Sequence, residues 1–452
     1  MNKLLIASFI VAAVLLPPIP MGGFLPILRP EMIVVGLAIV FGSGDSRVDL
    51  SRGDPVWTTL LALIPVAVIA IASSIIVLRT PYTYRDFMVL PMLLQYWLAF
   101  CFTRAIRNPE SRMFAVKTLM LCCGLSAVVG IAQKFNLLAV NDWLTPLFKT
   151  LQLEALQEGA FYGRSVGTVG DPRHYAFFLV LGIGAALVLL VLRRQAVRER
   201  LVTFSVLGVC ILALFLTASR TAGVTLIVVL VATAYFSQKK TRQSGRVVGA
   251  GIVVGVLTVA LWSFVAPEPV KERLMMTEGG SLQHSVRARQ RDALEPFRKG
   301  FKNPIIFITG RGPSKAVLPG SEHSDMGWFL LRYGLVGIGC YLFILLAGLR
   351  AGLRRWRSAR EPTEAVVALF CTVAMIAWIL YAQAESFFKL PQIMSINILV
   401  LGLLYAPTRG GTQRMPARQR HPAPYRRPPP VHRPQGAPVE RPAYAHPHSA
   451  GE

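Results

Sequence analysis

Arginine stands in this chain at places where the surrounding sequence should exclude charge. Arg220 lies in Leu216-Thr217-Ala218-Ser219-Arg220-Thr221-Ala222-Gly223, between two apolar runs that leave almost no loop. A guanidinium is planar, donates in pairs and keeps its proton. With small neighbours that let other groups approach, it suits a phosphate ligand; the alternative is an arginine whose head snorkels to a lipid–water interface. A second constellation is Gly310-Arg311-Gly312-Pro313-Ser314, followed by Glu322-His323-Ser324-Asp325, where another apolar run opens. Ser324 or Asp325 can cap a helix there, which leaves His323 just outside it. Histidine titrates nearest neutrality and is the natural general base. Within that run Arg332, in Leu331-Arg332-Tyr333-Gly334, calls for an acid across the bundle or a lipid phosphate.

Two further stretches carry positive charge toward possible anions. In Arg164-Ser165-Val166-Gly167-Thr168-Val169-Gly170-Asp171-Pro172-Arg173-His174 the glycines make a tight loop. Asp171 and Pro172 then read as N-cap and first helical residue. Free backbone N–H groups there, with Arg164 or Arg173, would suit an anion. Farther on, Ser285 can cap a helix with Val286, Ala293, Leu294, Phe297 and Phe301 at helical spacing. Arg287, Arg291 and Arg298 share one face of it, so it reads as a basic amphipathic helix on a membrane surface. Asp-x-Asp does not occur, nor does a Walker loop, and no metal site or cofactor is expected.

The elements that must position these groups are apolar helices. Of 452 residues 53% are hydrophobic and only 16% charged, yet 48 Lys and Arg against 23 Asp and Glu leave a net charge of +25. That combination excludes an ordinary soluble enzyme, a nucleic-acid binder, a disordered chain and a secreted one. Apolar runs long enough to span a bilayer recur throughout, and an all-α polytopic membrane protein of about twelve spans is predicted. The spans are 4–17, 31–42, 57–78, 86–103, 114–133, 173–192, 202–218, 221–237, 247–266, 325–348, 364–384 and 391–407. Lys3 ahead of Leu4–Leu16 reads as an uncleaved first helix rather than a signal peptide. Cys101, Cys122, Cys123, Cys210, Cys340 and Cys371 all fall in apolar segments, as small packing residues.

Twelve spans put both termini on one side. Clusters such as Arg193, Arg194, Arg198 and Arg200, or Arg350, Arg354, Arg355, Arg357 and Arg360, make that side cytoplasmic. Two long loops then lie outside, at about 134–172 and 267–324. Residues 1–407 form the membrane domain. The tail from 408 to 452 alternates proline with arginine and reads as a disordered cytoplasmic segment.

Over roughly residues 120–407 the chain resembles the O-antigen ligase and O-antigen polymerase superfamily of bacterial inner membranes. The likeness rests on Arg164-x-x-Gly167-Thr168 running to Asp171-Pro172, on Ser219-Arg220-Thr221 between spans, and on the loop helix with Arg287. It continues in Asn303-Pro304 leading to Gly310-x-Gly312, and in His323 opening a span that contains Tyr333-Gly334-Leu335-Val336-Gly337.

The resemblance implies a metal-independent, membrane-embedded glycosyltransferase. It would take a glycan from undecaprenyl pyrophosphate at the periplasmic face and pass it to another lipid-linked repeat or to lipid A–core. It implies His323 as catalytic base and Arg220 and Arg287, with Arg291 and Arg164, as pyrophosphate ligands. Asp171, Asp325, Arg332, Gly310 and Gly312 would support them. Membrane lipids, a chain-length regulator or a flippase would be partners, and nucleic acid would not. Many ligases carry His-Asn where this chain has His323-Ser324, and Pro-Asn where it has Pro172-Arg173. His-Ser-Asp and Arg332-Tyr333-Gly334 look more like a polymerase of O-antigen or exopolysaccharide. The residues also leave open an anion or lipid-linked-sugar transporter, a polytopic peptidoglycan polymerase and a structural scaffold.

Overall fold

Among the described residues, proline opens seven helices at the first helical position, where its missing N–H costs nothing and its φ is preset. The computed structural model describes residues 2–16, 29–42, 54–144, 165–193, 195–238, 303–314, 324–388 and 390–407, and every regular element among them is helical. In chain order these are α1 (Lys3–Leu15), α2 (Pro30–Phe41), α3 (Pro55–Leu78), α4 (Val89–Arg104) and α5 (Pro109–Lys134). Then come α6 (Val140–Leu144), α7 (Pro172–Leu192), α8 (Val197–Leu216), α9 (Arg220–Gln238) and α10 (Pro304–Thr309). The last are α11 (Asp325–Ser358), α12 (Pro362–Ala382) and α13 (Pro391–Tyr405). Asp54, Asn108, Asp171 and Asn303 each precede such a proline and accept a hydrogen bond from a first-turn N–H, as N-caps do.

Eight helical stretches are long and apolar enough to cross a bilayer: Pro55–Leu78, Asp86–Arg104, Pro109–Lys134, Pro172–Leu192, Val197–Leu216, Arg220–Gln238, Asp325–Ser358 and Pro362–Ala382. The other apolar helices, α1, α2 and α13, are shorter. At 13, 12 and 15 residues and 1.5 Å per residue, they reach about 18–23 Å, short of a hydrocarbon core of about 30 Å. Of the twelve predicted spans, eight are long helices and three are short ones among the described residues; 31–42, whose length already suggests a half-helix, is one of the short three. The remaining span, 247–266, lies outside them, as do the amphipathic helix that begins at Ser285 and the tail.

What faces outward on the long helices identifies their solvent. Leu121, Leu125 and Val128 on α5, and Val224, Ile227 and Val231 on α9, are exposed at helical spacing. Water would charge a high price for such stripes, whereas lipid accepts them. The protein is therefore a helical membrane protein. At the centre, α7 is buried on every face from His174 to Leu189, and α12 and α13 are nearly so. Helix α7 packs on α5, α8, α9 and α12, and α12 packs also on α5, α9, α11 and α13. Gly182 lets α7 approach the side chains of Cys123 on α5 and Cys210 on α8, the close contact that membrane helices make through small residues. Five cysteines are buried and Cys340 is half-buried, all as free thiols, in keeping with a packing role.

Polar contacts gather at the two ends of this bundle. One end holds the start of α7, the α8–α9 turn, the start of α11 and the α12–α13 connection. The other holds the starts of α5 and α12 and the ends of α11 and α13. They are called below the Asp171 end and the Arg112 end.

Candidate functional site

The α8–α9 turn is as tight as its sequence suggests, and residue 218 makes it so. Helix α8 ends when Thr217 and Ala218 close on the carbonyls of Ala213, Leu214 and Phe215. Ala218 then takes a left-handed conformation, φ 49, which costs a non-glycine residue of order 1 kcal/mol or more. After only three intervening residues, 217–219, the chain is helical again, with half-buried Arg220 as its first residue. Ser219 Oγ accepts the Ala222 N–H at 3.4 Å, an N-cap contact. The same hydroxyl lies 3.4 Å from the Tyr381 hydroxyl, which donates to the Arg173 carbonyl at 3.2 Å.

The loop before α7 is held from three sides. Ser165 donates from its N–H to Leu216 O and from its hydroxyl to Gly130 O; Thr168 Oγ1 donates to Val14 O, and Gln133 Nε2 donates to Gly167 O. Gly167 and Gly170 have φ of 55° and 81°, the conformation that glycine supplies without strain. At its end Asp171 caps α7 as the sequence suggests, with Oδ1 accepting the N–H groups of Arg173 and His174.

This cap corrects one expectation. The first N–H groups of α7 are not offered to an outside anion, because the Asp171 carboxylate already takes them. Arg173 is likewise engaged: its guanidinium reaches Asp171 Oδ2 at 3.4 Å and Glu385 Oε2 at 3.2 Å. His174 Nδ1 lies 3.3 Å from Asp171 Oδ1, with the ring edge-on to Phe387. Burial opposes ionisation of Asp171, but His174, Arg173 and the two N–H donors together hold its carboxyl below the usual range. Tyr381 stacks on Phe387 at 5.1 Å, and Phe177 packs edge-on to Tyr381. An apolar wall thus backs the charged network.

Gly310 and Gly312 join the chain to a break in α11. Helix α11 breaks at Gly334, which takes φ 63, ψ −159, a region essentially closed to other residues. The break deprives carbonyls of the preceding turn of their intrahelical partners. Arg311 N–H donates to Leu331 O at 2.8 Å and Gly312 N–H to Arg332 O at 2.9 Å, which supplies the partners that buried carbonyls require. A Cβ on Gly310 would collide with the Arg332 carbonyl, and one on Gly334 with the Ile308 carbonyl. The three glycines are a backbone splice between two segments. Arg332 donates to Pro313 O at 3.0 Å and lies over the Trp328 ring at 5.3 Å.

Asp325 is fully buried at the start of α11. It accepts the Phe388 N–H at 2.8 Å and the Tyr341 hydroxyl at 2.6 Å, so it joins α11 to the α12–α13 connection. The capping role falls to Ser324, whose Oγ accepts the Gly327 N–H at 3.1 Å.

Arg220, Asp171 and the start of α11 therefore lie at the same end of the bundle. Arg332, Gly310 and Gly312 form a separate splice along α11. His323, Arg287, Arg291 and Arg164 lie outside the described residues. The fold adds Tyr381 and Glu385, and gives Arg173 and His174 a definite place. Glu385 had one sequence signal, an acid in the short polar link between two apolar helices, but its partner Arg173 is 212 residues away. No protein-family model matches the chain and no curated protein matches its sequence, so a functional reading stands on these residues and their arrangement.

Proposed function

We propose that this protein is a bacterial inner-membrane glycosyltransferase that moves or polymerises a glycan carried on undecaprenyl pyrophosphate, at the periplasmic face. The observation that carries this reading is Arg220. It is the first residue of a membrane helix, and the preceding Ser219 is linked through Tyr381 to Arg173 of the Asp171–Arg173–Glu385 network, at the end of the bundle where α11 begins at Asp325. In this reading His323 takes the proton of an acceptor hydroxyl. The oxygen attacks the anomeric carbon of the donor, and the bond from that carbon to the pyrophosphate oxygen breaks. Arg220, with Arg287, Arg291 and Arg164 of the outer loops, stabilises the charge on the departing pyrophosphate. Such preorganised donors are typically worth several kcal/mol of transition-state stabilisation, and a general base typically gives about 100- to 10,000-fold.

The test is transfer by the purified full-length protein, given lipid-linked repeat and acceptor in the presence of chelator. Absence of product, or full activity in His323→Ala, would sink the mechanism. In a deletion strain a polymerase would leave one repeat on lipid A–core. A ligase would leave the core bare while lipid-linked polymer accumulates. An exopolysaccharide enzyme would leave lipopolysaccharide normal. A peptidoglycan polymerase would need an outer carboxylate, so unchanged activity in Asp171→Asn would count against that rival.

One observation favours a transporter instead. Glu31 is 1% exposed in the short helix α2, with the Ser395 hydroxyl at 3.2 Å and the Arg29 guanidinium at 3.8 Å from its Oε1. An ionisable group buried in an apolar helix is often part of a transport path. Substrate flux in proteoliposomes that is lost in Glu31→Gln, with no glycan transfer by wild type, would decide for that reading.

A further inference from the structure

The hydroxyls between α9, α12 and α7 form a chain whose direction is forced. A backbone N–H can only donate and a backbone carbonyl can only accept. Ala222 N–H therefore donates to Ser219 Oγ, and the Tyr381 hydroxyl donates to Arg173 O. The middle contact of 3.4 Å is then necessarily Ser219 donating to Tyr381. The chain ties the first turn of α9, which begins with Arg220, to the residue whose guanidinium bridges Asp171 and Glu385. The Tyr381 ring packs against Phe177 and Phe387, which orients its hydroxyl toward Ser219 and Arg173.

We propose that Tyr381 is a positioning residue for Arg220, whose hydroxyl relay to Ser219 and Arg173 sets the guanidinium for a pyrophosphate group. The inference rests on the reading of Arg220 as a pyrophosphate ligand, and it adds a residue and a mechanical link that reading does not contain. Charge at the site is left alone by the relay, so its loss should weaken binding of the pyrophosphate without touching acceptor use. Tyr381→Phe is the informative change because it keeps the ring and removes only the hydroxyl. Losing one such net hydrogen bond corresponds to about a two- to tenfold effect.

The experiment uses the full chain in detergent or nanodiscs and two readouts. Binding of inorganic pyrophosphate is followed by calorimetry, and glycan transfer is followed with lipid-linked donor and acceptor. In Tyr381→Phe, pyrophosphate binding is expected to weaken about two- to tenfold, with the donor KM rising by a similar factor and the acceptor KM unchanged. Ser219→Ala should behave alike, and Ser219→Thr, which restores a hydroxyl, should recover. If Arg220→Ala loses binding while Tyr381→Phe binds and turns over as wild type does, the inference is overturned and the enzyme reading stands. If wild type binds pyrophosphate and Tyr381→Phe weakens it, but no glycan is transferred, the inference stands and the enzyme reading falls. Pyrophosphate that does not bind wild type overturns the inference. Equal changes in donor and acceptor KM would also overturn it, because they would mark a general structural defect.

Discussion

The two ends of the bundle use the same residue types for different ends. At the Arg112 end the charges close in local ion pairs and carbonyl contacts between helix termini. Arg112, with its side chain fully buried, meets Glu364 through two contacts of 2.8 and 3.3 Å and donates to Arg107 O. Arg104 pairs with Asp54 at 3.2 Å, and Lys117 with Glu199 at 3.0 Å. Arg355 donates to the carbonyls of Leu403 and Ala406, which closes the end of α13. These are clamps between helix termini. At the Asp171 end the groups form a branched network instead. It joins a carboxylate cap, a bridging arginine, a histidine, a second carboxylate and two hydroxyls, and it runs to the turn that bears Arg220. Local contacts suffice where charges only hold helices together; on the proposed reading, a cation aimed at a ligand needs its supports held from several elements.

The comparison can be broken most sharply by activity. Arg220→Ala is expected to lower glycan transfer by about 100-fold or more, whereas Arg112→Ala should lower it only in proportion to the folded protein recovered. Equal specific losses, measured per folded molecule, would erase the distinction between the ends. Stability should show the opposite order. Removing Arg112 leaves Glu364 without its buried partner, and breaking such a pair costs about 3–5 kcal/mol. Thermal unfolding of Arg112→Ala in detergent should therefore fall far below that of Arg220→Ala.

Gly334→Ala sharpens the picture along α11. The residue would be held in a glycine-only conformation against the Ile308 carbonyl, at a cost of about 1–3 kcal/mol or more. A loss of thermal stability without change at the Asp171 end, followed by protection of the Ser324–Asp325 segment, would confirm that the splice is structural.

The smallest effect concerns pH. The folded carboxyl of Asp171 ionises below its usual range, so it contributes stability above the unfolded aspartate value of about 3.9. That contribution is lost as pH falls through the folded value. Asp171→Asn keeps a competent N-cap but removes the charge, so its unfolding temperature should lose this component of the dependence on pH below about 4. Asp171→Ala removes the cap as well, for about 1 kcal/mol more. An identical acid profile in wild type and Asp171→Asn would show that the Arg173 and His174 contacts contribute nothing at this end.

Much of the local structure was readable from residue type. The Asp171-Pro172 start of α7, the Ser324 cap of α11, the glycine loop at 167–170 and the tight turn at Ser219–Arg220 each follow from rules acting over a few residues. Helix length was read less well where punctuation was weak. Helix α11 runs to Ser358, beyond the expected 348, because its last turns carry Arg350, Arg354 and Arg357 on an exposed face while Arg355 turns onto the end of α13. An apolar window ends there although the helix does not.

Sequence alone determined that this is an all-helical membrane chain and that Arg220 stands in a minimal turn between two apolar spans. Both follow from short-range chemistry: hydropathy over about twenty residues and capping over about four. Only the tertiary structure decided that Arg173 bridges Asp171 to Glu385, that Tyr381 joins Ser219 to Arg173, and that Gly310 and Gly312 splice a broken helix. Those partners lie between 19 and 212 residues apart for the contacts at Pro313–Arg332 and Arg173–Glu385. No periodicity encodes such pairings; they exist because α7, α9, α11 and α12 are packed side by side, and packing is a property of the whole bundle.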